Sequence, residues 1–241
     1  MALLELRGLT KAFGGVTAVS DITFDVEEGQ IAGLIGPNGA GKTTLFNLIS
    51  AIYKPTRGQV NFAGRNLAVL TPDQVARSGI GRTFQVVKPF AGLTVLENVM
   101  VGAFMRSQHT SEARERAEEV LRFVDLFHKR NEPARSLTLP DRKRLELAKA
   151  LATKPKLLLL DEVMAGLNPA EVSAALSLVR QVRDHGVTVL MIEHVMTAVM
   201  SLCEHIVVLN YGQYLAEGSP KEIANHPEVI RAYLGEGMAH A

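Results

Sequence analysis

A nine-residue stretch, GPNGAGKTT at positions 36–44, constrains the fold of this chain more than any other feature. It follows the apolar run IAGLI at 31–35 and opens the segment KTTLFNLISAI at 42–52, in which apolar side chains recur at helical spacing. A buried strand, a glycine turn and a helix in direct succession are typical of a parallel sheet covered by helices. We therefore predict an α/β fold.

The rest of the chain continues to alternate between strand-like and helix-like segments. Strand-like patterns occur at 22–26, around 60–62, and at 157–160, 187–192 and 205–210. Helix starts with capping residues are predicted at Thr71 and Asn168, each followed by proline. A turn at Gly212 leads into a last strand, QYLAEG. This succession predicts a mostly parallel sheet with helices on both faces.

One segment, residues 87–155, departs from this alternation. Strand-like patterns fade, and apolar residues recur at helical spacing within SEARERAEEVLRFVDLF. These residues are Ala113, Ala117, Val120, Leu121 and Val124. We predict a helical subdomain at 87–155, inserted in a core formed by 1–86 and 156–241.

Charge, cysteine usage and hydropathy narrow the class of protein. The 26 basic and 25 acidic residues nearly cancel, so no basic field favours nucleic acid as a partner. Cys203 is the only cysteine and cannot form an internal disulfide, and its apolar neighbours favour a core position. No signal-peptide pattern occurs, and no run approaches the ~18 apolar residues that a membrane span needs. We expect a cytoplasmic chain that would serve a membrane from outside the bilayer.

The loop at 36–44 matches the phosphate-binding pattern G-x-x-x-x-G-K-[ST]. Its glycines let successive backbone N–H groups point at phosphates, and the following helix presents its positive end. Lys42 adds a point charge, and the Thr43 hydroxyl can ligate Mg²⁺. A glycine-rich turn is the alternative, but the flanking strand and helix favour nucleotide binding. The predicted nucleotide-binding residues are Gly36, Pro37, Asn38, Gly39, Ala40, Gly41, Lys42, Thr43 and Thr44.

Two acids follow the buried run of the segment LLLLDE at 157–162. Asp161 is predicted to bind Mg²⁺, directly or through water, and Glu162 to act as the general base for the attacking water. An apolar strand that ends in acids is equally consistent with a helix cap. The phosphate loop upstream favours the catalytic interpretation.

Two further polar residues follow strand-like runs, Gln85 in GRTFQ and His194 in VLMIEH. Each could reach a shared nucleotide pocket, and a neutral His194 could bond the γ-phosphate or orient Glu162. Taken singly, such a histidine is commonly structural and such a glutamine is commonly surface. Their order after the loop favours functional roles for both.

The motifs of this chain occur in the order phosphate loop, Gln85, helical insert, LLLLDE, AGLNPAE and His194. This ordered set resembles the ATP-binding subunit of ABC transporters over essentially the whole chain. Four segments are similar to those of one branch of the family, the branched-chain amino acid importer type: FGGVTAV, ARSGIGRTFQ, AGLNPAE and HPEVIRAYLGE. The resemblance implies a P-loop NTPase fold with a mostly parallel core sheet, an N-terminal antiparallel β part and an inserted helical subdomain. It also implies an ATPase, with ATP and Mg²⁺ bound, that powers import of a small solute.

The resemblance assigns further roles. Phe13 in KAFGG matches the aromatic residue that stacks on adenine, with a core phenylalanine as the alternative. Gln85 would contact the metal together with Thr43 and Asp161, and would sense the membrane subunit. Residues 86–104 would receive that subunit's coupling helices. The catalytic set is then Glu162, His194, Gln85 and Lys42.

One segment departs from the family pattern. Where the family has L-S-G-G-Q, this chain has LTLPD at 137–141, which we call the signature segment. Thr138 keeps a hydroxyl that could reach the γ-phosphate of a second subunit's ATP, whereas Pro140 lacks an N–H and Asp141 adds a negative charge. Pro140 is predicted as the first helical residue. We hypothesise that this half is weakened and that the chain works in a heterodimer.

The implied partners are a second ATP-binding subunit (in a homodimer or heterodimer, with the heterodimer favoured), two transmembrane permease subunits and, indirectly, a periplasmic solute-binding protein. The chain would lie on the inner face of the cell membrane through these partners. One alternative is a soluble ABC ATPase that acts as a regulatory or mechanical module, for example on ribosomes or DNA. The other is an exporter subunit for lipid or lipopolysaccharide. Leucine-like amino acids, amides, urea and aromatic acids all remain open as solutes.

Overall fold

A computed structural model describes residues 2–85 and 87–238 of the chain. Over these residues the chain forms ten β-strands. They are β1 (Ala2–Phe13), β2 (Val16–Glu27), β3 (Ile31–Ile35), β4 (Arg57–Phe62), β5 (Arg65–Asn66), β6 (Ile80–Arg82), β7 (Leu157–Asp161), β8 (Thr188–Ile192), β9 (His205–Asn210) and β10 (Gln213–Gly218).

The same residues form nine α-helices and two short 3₁₀ turns, Phe127–Lys129 and Ala134–Ser136. The helices are α1 (Lys42–Ile49), α2 (Pro72–Ser78), α3 (Val95–Ala103), α4 (Thr110–Phe123), α5 (Leu139–Ala152), α6 (Pro169–Asp184), α7 (Met196–Leu202), α8 (Pro220–Ala224) and α9 (Pro227–Met238).

The chain divides into two compact units, and the first comprises Met1–Val75 and Thr188–Ala241. Its N-terminal part is an antiparallel sheet in the order β2-β1-β4-β5. Alternate side chains of β2 face the core, with Ile22, Phe24 and Val26 all buried, as the alternation of the sequence predicts.

The first unit also contains strands in the order β10-β9-β3-β8. β3 pairs in parallel with both β8 and β9, and β10 turns back against β9 in antiparallel register. β3 and β8 are buried along their whole length, as expected of central parallel strands. Their carboxyl ends therefore lie at one edge, where α/β proteins bind ligands.

The second unit, Ala76–Val187, contains the parallel pair β6 and β7 and the helices α3 to α6. Between β6 and β7 the described residues contain helices and an isolated bridge from Thr94 to Pro133. The predicted helical segment is α4, and its apolar stripe is buried as expected. The predicted P-loop NTPase fold is confirmed, while the exact subdomain limits 1–86, 87–155 and 156–241 stay a prediction.

Helix ends agree with the predicted caps at two positions and differ at two others. The Gln74 side-chain oxygen accepts from the Thr71 N–H, and Asn168 is the N-cap of α6 in a capping box. The helix predicted for 42–52 ends earlier, at Ile49, because Ser50 turns its hydroxyl onto the chain and Ala51 has a left-handed φ of 57°. α5 begins one residue before Pro140, which is its second residue.

Candidate active site

The glycine-rich loop of residues 36–44 joins β3 to α1 in the first unit. Close approaches of the backbone require two of its glycines. A Cβ at Gly36 would lie 2.1 Å from the carbonyl oxygen of Leu209, and one at Gly41 would lie 2.6 Å from that of Ala18. Both glycines have positive φ, 149° and 95°, which other residues rarely adopt. The packing of β2 and β9 therefore sets the conformation of this loop.

Lys42, the first residue of α1, folds back over the loop. Its Nζ donates to the carbonyl oxygens of Gly36 at 2.6 Å and Pro37 at 2.8 Å, and the residue is 6% exposed. A buried ammonium needs acceptors, and these carbonyls supply them. Since a phosphate is a stronger, charged acceptor, Lys42 can exchange a carbonyl for a phosphate oxygen while it stays within the loop.

Asp161 ends β7 and is 2% exposed. Its Oδ2 lies 3.2 Å from Nη2 of Arg82, the last residue of β6. Its backbone N–H donates to the Thr83 hydroxyl oxygen at 3.1 Å. The parallel pairing of β6 with β7 brings all three residues to the carboxyl edge of this strand pair.

Glu162, the predicted general base, is held at both its side chain and its backbone. The Gln85 amide donates to Oε2 at 2.8 Å, and the Lys143 ammonium donates to the Glu162 carbonyl oxygen at 2.9 Å. Glu162 also has a φ of 52°, a conformation uncommon outside glycine. The structure thus joins Gln85 to Glu162, a contact that the sequence analysis did not specify, and fixes the direction in which the carboxylate leaves the strand.

His194 and Phe13 both lie in the first unit. His194 is exposed and follows β8, whose Ile192 pairs with Leu34 of β3. His194 therefore lies at the edge where the phosphate loop begins. Phe13 is 43% exposed, and its ring contacts the Tyr53 ring edge-on with centroids 5.1 Å apart. This exposure argues against a core role for Phe13, and stacking on adenine stays a prediction.

The signature segment differs most from its expected chemistry. Thr138 caps α5, donating its hydroxyl to Asp141 Oδ2 at 2.9 Å and accepting from the Asp141 N–H. Lys129 Nζ lies 2.6 Å from the same Oδ2. We expected Asp141 to expose a negative charge, but the residue is buried and paired. The Thr138 proton is likewise engaged within the segment.

The Asp141 pair predicts a pH dependence of stability. Burial alone would raise the pKa of Asp141, but the hydrogen bonds from Lys129 and Thr138 outweigh it and leave the pKa below its ordinary value. The stabilisation is then present above the unfolded-state pKa and lost as pH falls through the folded-state pKa.

Asp141→Asn should therefore unfold at lower urea than the parent chain at pH 7, and the difference should shrink as the pH falls below 3.8, the ordinary pKa of an aspartate. Asp184→Asn removes an aspartate with a 61% exposed side chain at the end of α6 and serves as the control. A gap between parent and Asp141→Asn that stays constant over this pH range would contradict the assignment.

Sequence reasoning missed three residues of the site, Arg82, Thr83 and Lys143. Arg82 carried a usable signal, because a charged residue at the end of an apolar strand is unusual unless it is paired. Lys143 lies inside a charged helical segment, RKRLELAK, in which the sequence does not distinguish a buried lysine from exposed ones. Cys203 is buried as predicted, and burial, with Glu204 and Glu193 nearby, raises its pKa to about 12, so it is not a reactive thiol.

Comparison with known proteins gives consistent results over the chain. A sequence profile described as "ABC transporter" matches residues 19–165, and one described as "Branched-chain amino acid ATP-binding cassette transporter" matches residues 215–239. The high-affinity branched-chain amino acid transport ATP-binding protein LivG of Salmonella typhimurium is 43% identical, covering 97% of this chain and 98% of LivG. BraF of Pseudomonas aeruginosa, with the same description, has the same identity and coverage.

Other similar proteins extend the comparison to export and to solved structures. The lipopolysaccharide export system ATP-binding protein LptB of Haemophilus influenzae is 34% identical over 98% of both chains. The crystal structure of the ADP conformation of MJ1267, an ATP-binding cassette of an ABC transporter, superposes with a TM-score of 0.89 at 30% identity, covering 98% of this chain and 99% of that one. The cassette MJ0796, a dimer bound to ADP and phosphate, has a TM-score of 0.82 at 26% identity, covering 90% of this chain and 98% of that one.

Proposed function

This chain belongs to the ATP-binding cassette family of ABC transporters, and on that premise we propose that it powers import of a branched-chain amino acid or a related small solute. It is an ATPase that binds nucleotide and hydrolyses ATP. One observation supports the assignment of hydrolysis to particular residues: Gln85 donates a hydrogen bond to the Glu162 carboxylate, and Glu162 directly follows Asp161 at the end of β7.

Residues 36–44 bind the phosphates. The N–H groups of the loop and the start of α1 face the anion, and Lys42 moves from loop carbonyls to the β- and γ-phosphates. Phe13 supplies an exposed ring for the adenine, and the neighbouring Tyr53 keeps that ring in place.

Glu162 accepts a proton from the water that attacks the γ-phosphorus. Gln85 keeps the carboxylate oriented through Oε2, and Lys143 keeps the strained backbone at Glu162 in place. His194 is exposed and can donate a hydrogen bond to the γ-phosphate. The contacts from Gln85 and Lys143 thus fix the direction of the general base, and such positioning is the main requirement of phosphoryl transfer.

The donor set suits Mg²⁺. The assigned ligands Asp161, Thr43 and Gln85 offer a carboxylate, a hydroxyl and an amide oxygen, the hard donors that Mg²⁺ prefers. Among the described residues there is no cluster of three or more His, Cys, Asp or Glu side chains that could hold a metal by itself. Mg²⁺ is usually bound by one or two carboxylates together with substrate phosphates, and the three assigned residues would hold it in that way. When bound, it neutralises charge on the phosphates.

Import of an amino acid is favoured over export for two reasons. Identity to the branched-chain amino acid transport ATP-binding proteins LivG and BraF is 43%, against 34% to the lipopolysaccharide export system ATP-binding protein LptB. The profile described as a branched-chain amino acid ATP-binding cassette transporter also matches residues 215–239, which include most of β10 and all of α8 and α9.

We further propose that the chain works beside two permease subunits and receives them near residues 86–104. Phe84, Phe90, Val101 and Phe104 are exposed apolar side chains in or next to that region, and such patches mark interaction sites. Val86 lies outside the described residues. In the part of the chain that the structure describes, no helix is long and apolar enough to cross a bilayer. The proposed place at the inner face of the membrane is then reached through these subunits.

A second ATP-binding subunit, different from this one, completes the proposed assembly. The signature segment supports this proposal, because the Thr138 hydroxyl donates to the Asp141 carboxylate, which also accepts from Lys129, so these polar groups are engaged within this chain. A partner with an unmodified signature would supply what this segment lacks. The solved MJ0796 dimer is a precedent for two cassettes together.

The import proposal predicts stimulation of ATP hydrolysis by solute. The chain, purified with its permeases and second cassette in liposomes, should hydrolyse ATP faster when leucine and a periplasmic binding protein are present. The same assembly carrying Glu162→Gln is the matched control and should not respond. Failure of the chain to co-purify with any membrane subunit would favour a regulatory module instead, and stimulation by lipopolysaccharide or lipid alone would favour export.

A further inference from the structure

A buried arginine, Arg82, lies beside the acid that is assigned to the cation. Its side chain is 8% exposed, and that of Asp161 is 2% exposed. Nη2 of Arg82 and Oδ2 of Asp161 are 3.2 Å apart. The two residues come from neighbouring parallel strands, because Arg82 pairs with Leu159 two residues before the acid. The contact is therefore set by strand register and not by a flexible loop.

Burial of this arginine is costly, and the fold retains it. Desolvation lowers the pKa of Arg82, with the attraction of Asp161 opposing it. The guanidinium also lies 5.2 Å from the centre of the Phe84 ring, within the range of a cation–π contact. Phe84 and Asp161 thus both contact the guanidinium.

The next residue, Thr83, acts on the same acid. Its hydroxyl oxygen accepts from the Asp161 N–H, and its own N–H donates to the Leu159 carbonyl oxygen at 2.9 Å. The end of β6 therefore holds the backbone of Asp161 through Thr83 and its carboxylate through Arg82. This arrangement matches that of outer-shell groups which orient metal-binding carboxylates in other proteins.

We propose that Arg82 is a positioning residue for the cation, which keeps the Asp161 carboxylate in one orientation through Oδ2 so that Mg²⁺ strengthens nucleotide binding. The proposal rests on the function proposed above, in which Asp161 is a Mg²⁺ ligand. Loss of the guanidinium leaves a buried carboxylate without this charge partner, and such a group turns toward water. Loss of an outer-shell partner commonly lowers metal affinity about 10–100-fold.

The positive charge of Arg82 also has an opposite effect on Mg²⁺ affinity. A positive charge next to a cation ligand also repels the cation, so its removal alone would increase Mg²⁺ affinity. Because the carboxylate is almost fully buried, we expect the loss of orientation to outweigh the relief of repulsion. The sign of the change therefore distinguishes positioning from simple repulsion.

The test is a fluorescence titration of the full chain with a mant-labelled ATP analogue, in EDTA and in saturating Mg²⁺. The readout is the ratio of the two Kd values, which measures the gain in affinity due to the metal without any need for turnover. Arg82→Met should reduce this ratio about tenfold or more and leave the Kd in EDTA unchanged. Arg82→Lys should fall between, because an ammonium keeps the charge and one hydrogen bond.

Arg106→Met is the matched control. Arg106 donates to the carbonyl oxygens of Thr153 and Arg77 in the same unit, and its loss should leave the ratio unchanged. An unchanged or larger ratio in Arg82→Met would overturn the proposal. If Arg82→Met does not fold in a thermal unfolding assay, Arg82→Lys decides, and a parental ratio in that variant would overturn it.

Asp161→Asn distinguishes a failure of the Mg²⁺ assignment from a failure of the role proposed for Arg82. If this variant keeps the parental ratio, the assignment of Asp161 as a Mg²⁺ ligand fails. If Asp161→Asn loses the ratio and both arginine variants keep it, only the role of Arg82 fails.

Discussion

Glu162→Gln is expected to bind ATP with near-parental affinity and to lower the rate of hydrolysis about 10²–10⁴-fold. The glutamine keeps the size of the side chain and can still pair with Gln85, whose amide donates to Oε2 at 2.8 Å. It cannot accept the proton of the attacking water. The loss should therefore appear in kcat and not in nucleotide affinity, as for a group that acts only in the transition state.

The experiment measures phosphate release and mant-ATP binding on the same preparation. Glu222→Gln is the control, since Glu222 accepts from the Ser219 N–H in the cap of α8 and a glutamine can accept there as well. Turnover by Glu162→Gln within a few-fold of the parent would remove Glu162 from the role of base. A matching loss in Glu222→Gln would point instead to an effect on folding.

Lys42→Ala is expected to produce the second large effect, a loss of ATPase activity in the assembled transporter of about 100-fold or more. The Lys42 ammonium already lies within the loop, where the Gly36 and Pro37 carbonyls hold it, so its removal deletes a preorganised charge at the phosphates. Nucleotide binding should weaken along with turnover, in contrast to Glu162→Gln.

The unequal dimer is tested by making the same lysine substitution in the second cassette and comparing the two losses of ATPase activity. If this chain contributes a weakened signature segment, the partner's phosphate loop is the one that faces this segment. The lysine substitution in the partner should then cause a loss of ATPase activity that is several-fold smaller than the loss caused by Lys42→Ala. Equal losses in the two single variants would contradict the asymmetry. Restoration of the family pattern by Leu139→Gly, Pro140→Gly and Asp141→Gln together should then bring the two losses closer.

Several parts of the site follow from short stretches of sequence because the relevant contacts are local. The phosphate loop is one, since its backbone N–H groups, its glycines and Lys42 lie within nine residues. The capping box at Asn168 is another, since its bonds span three residues. The end of α1 was predicted three residues too late, because Ser50 and Ala51 fit helical spacing and turn only through their backbone angles.

The partnerships between distant residues could not be derived in this way. Gln85 and Glu162 are 77 residues apart, Arg82 and Asp161 are 79 apart, and Lys143 meets a carbonyl 19 residues away. The sequence pattern placed Gln85 and the two acids at strand ends. Which atom bonds to which depends on the register of β6 with β7.

In the signature segment, too, the sequence gives the residue types and only the fold gives their partners. From residue types alone, Asp141 reads as a charge facing a partner's phosphates, because nothing local indicates that Lys129 lies beside it. Folding brings the Lys129 ammonium to 2.6 Å from the carboxylate and buries Asp141. The identities of the loop and the acids follow from local backbone geometry and side-chain chemistry. The state of each charge follows from burial and long-range packing, because the low dielectric of the interior makes a charge depend on the partner that folding places next to it.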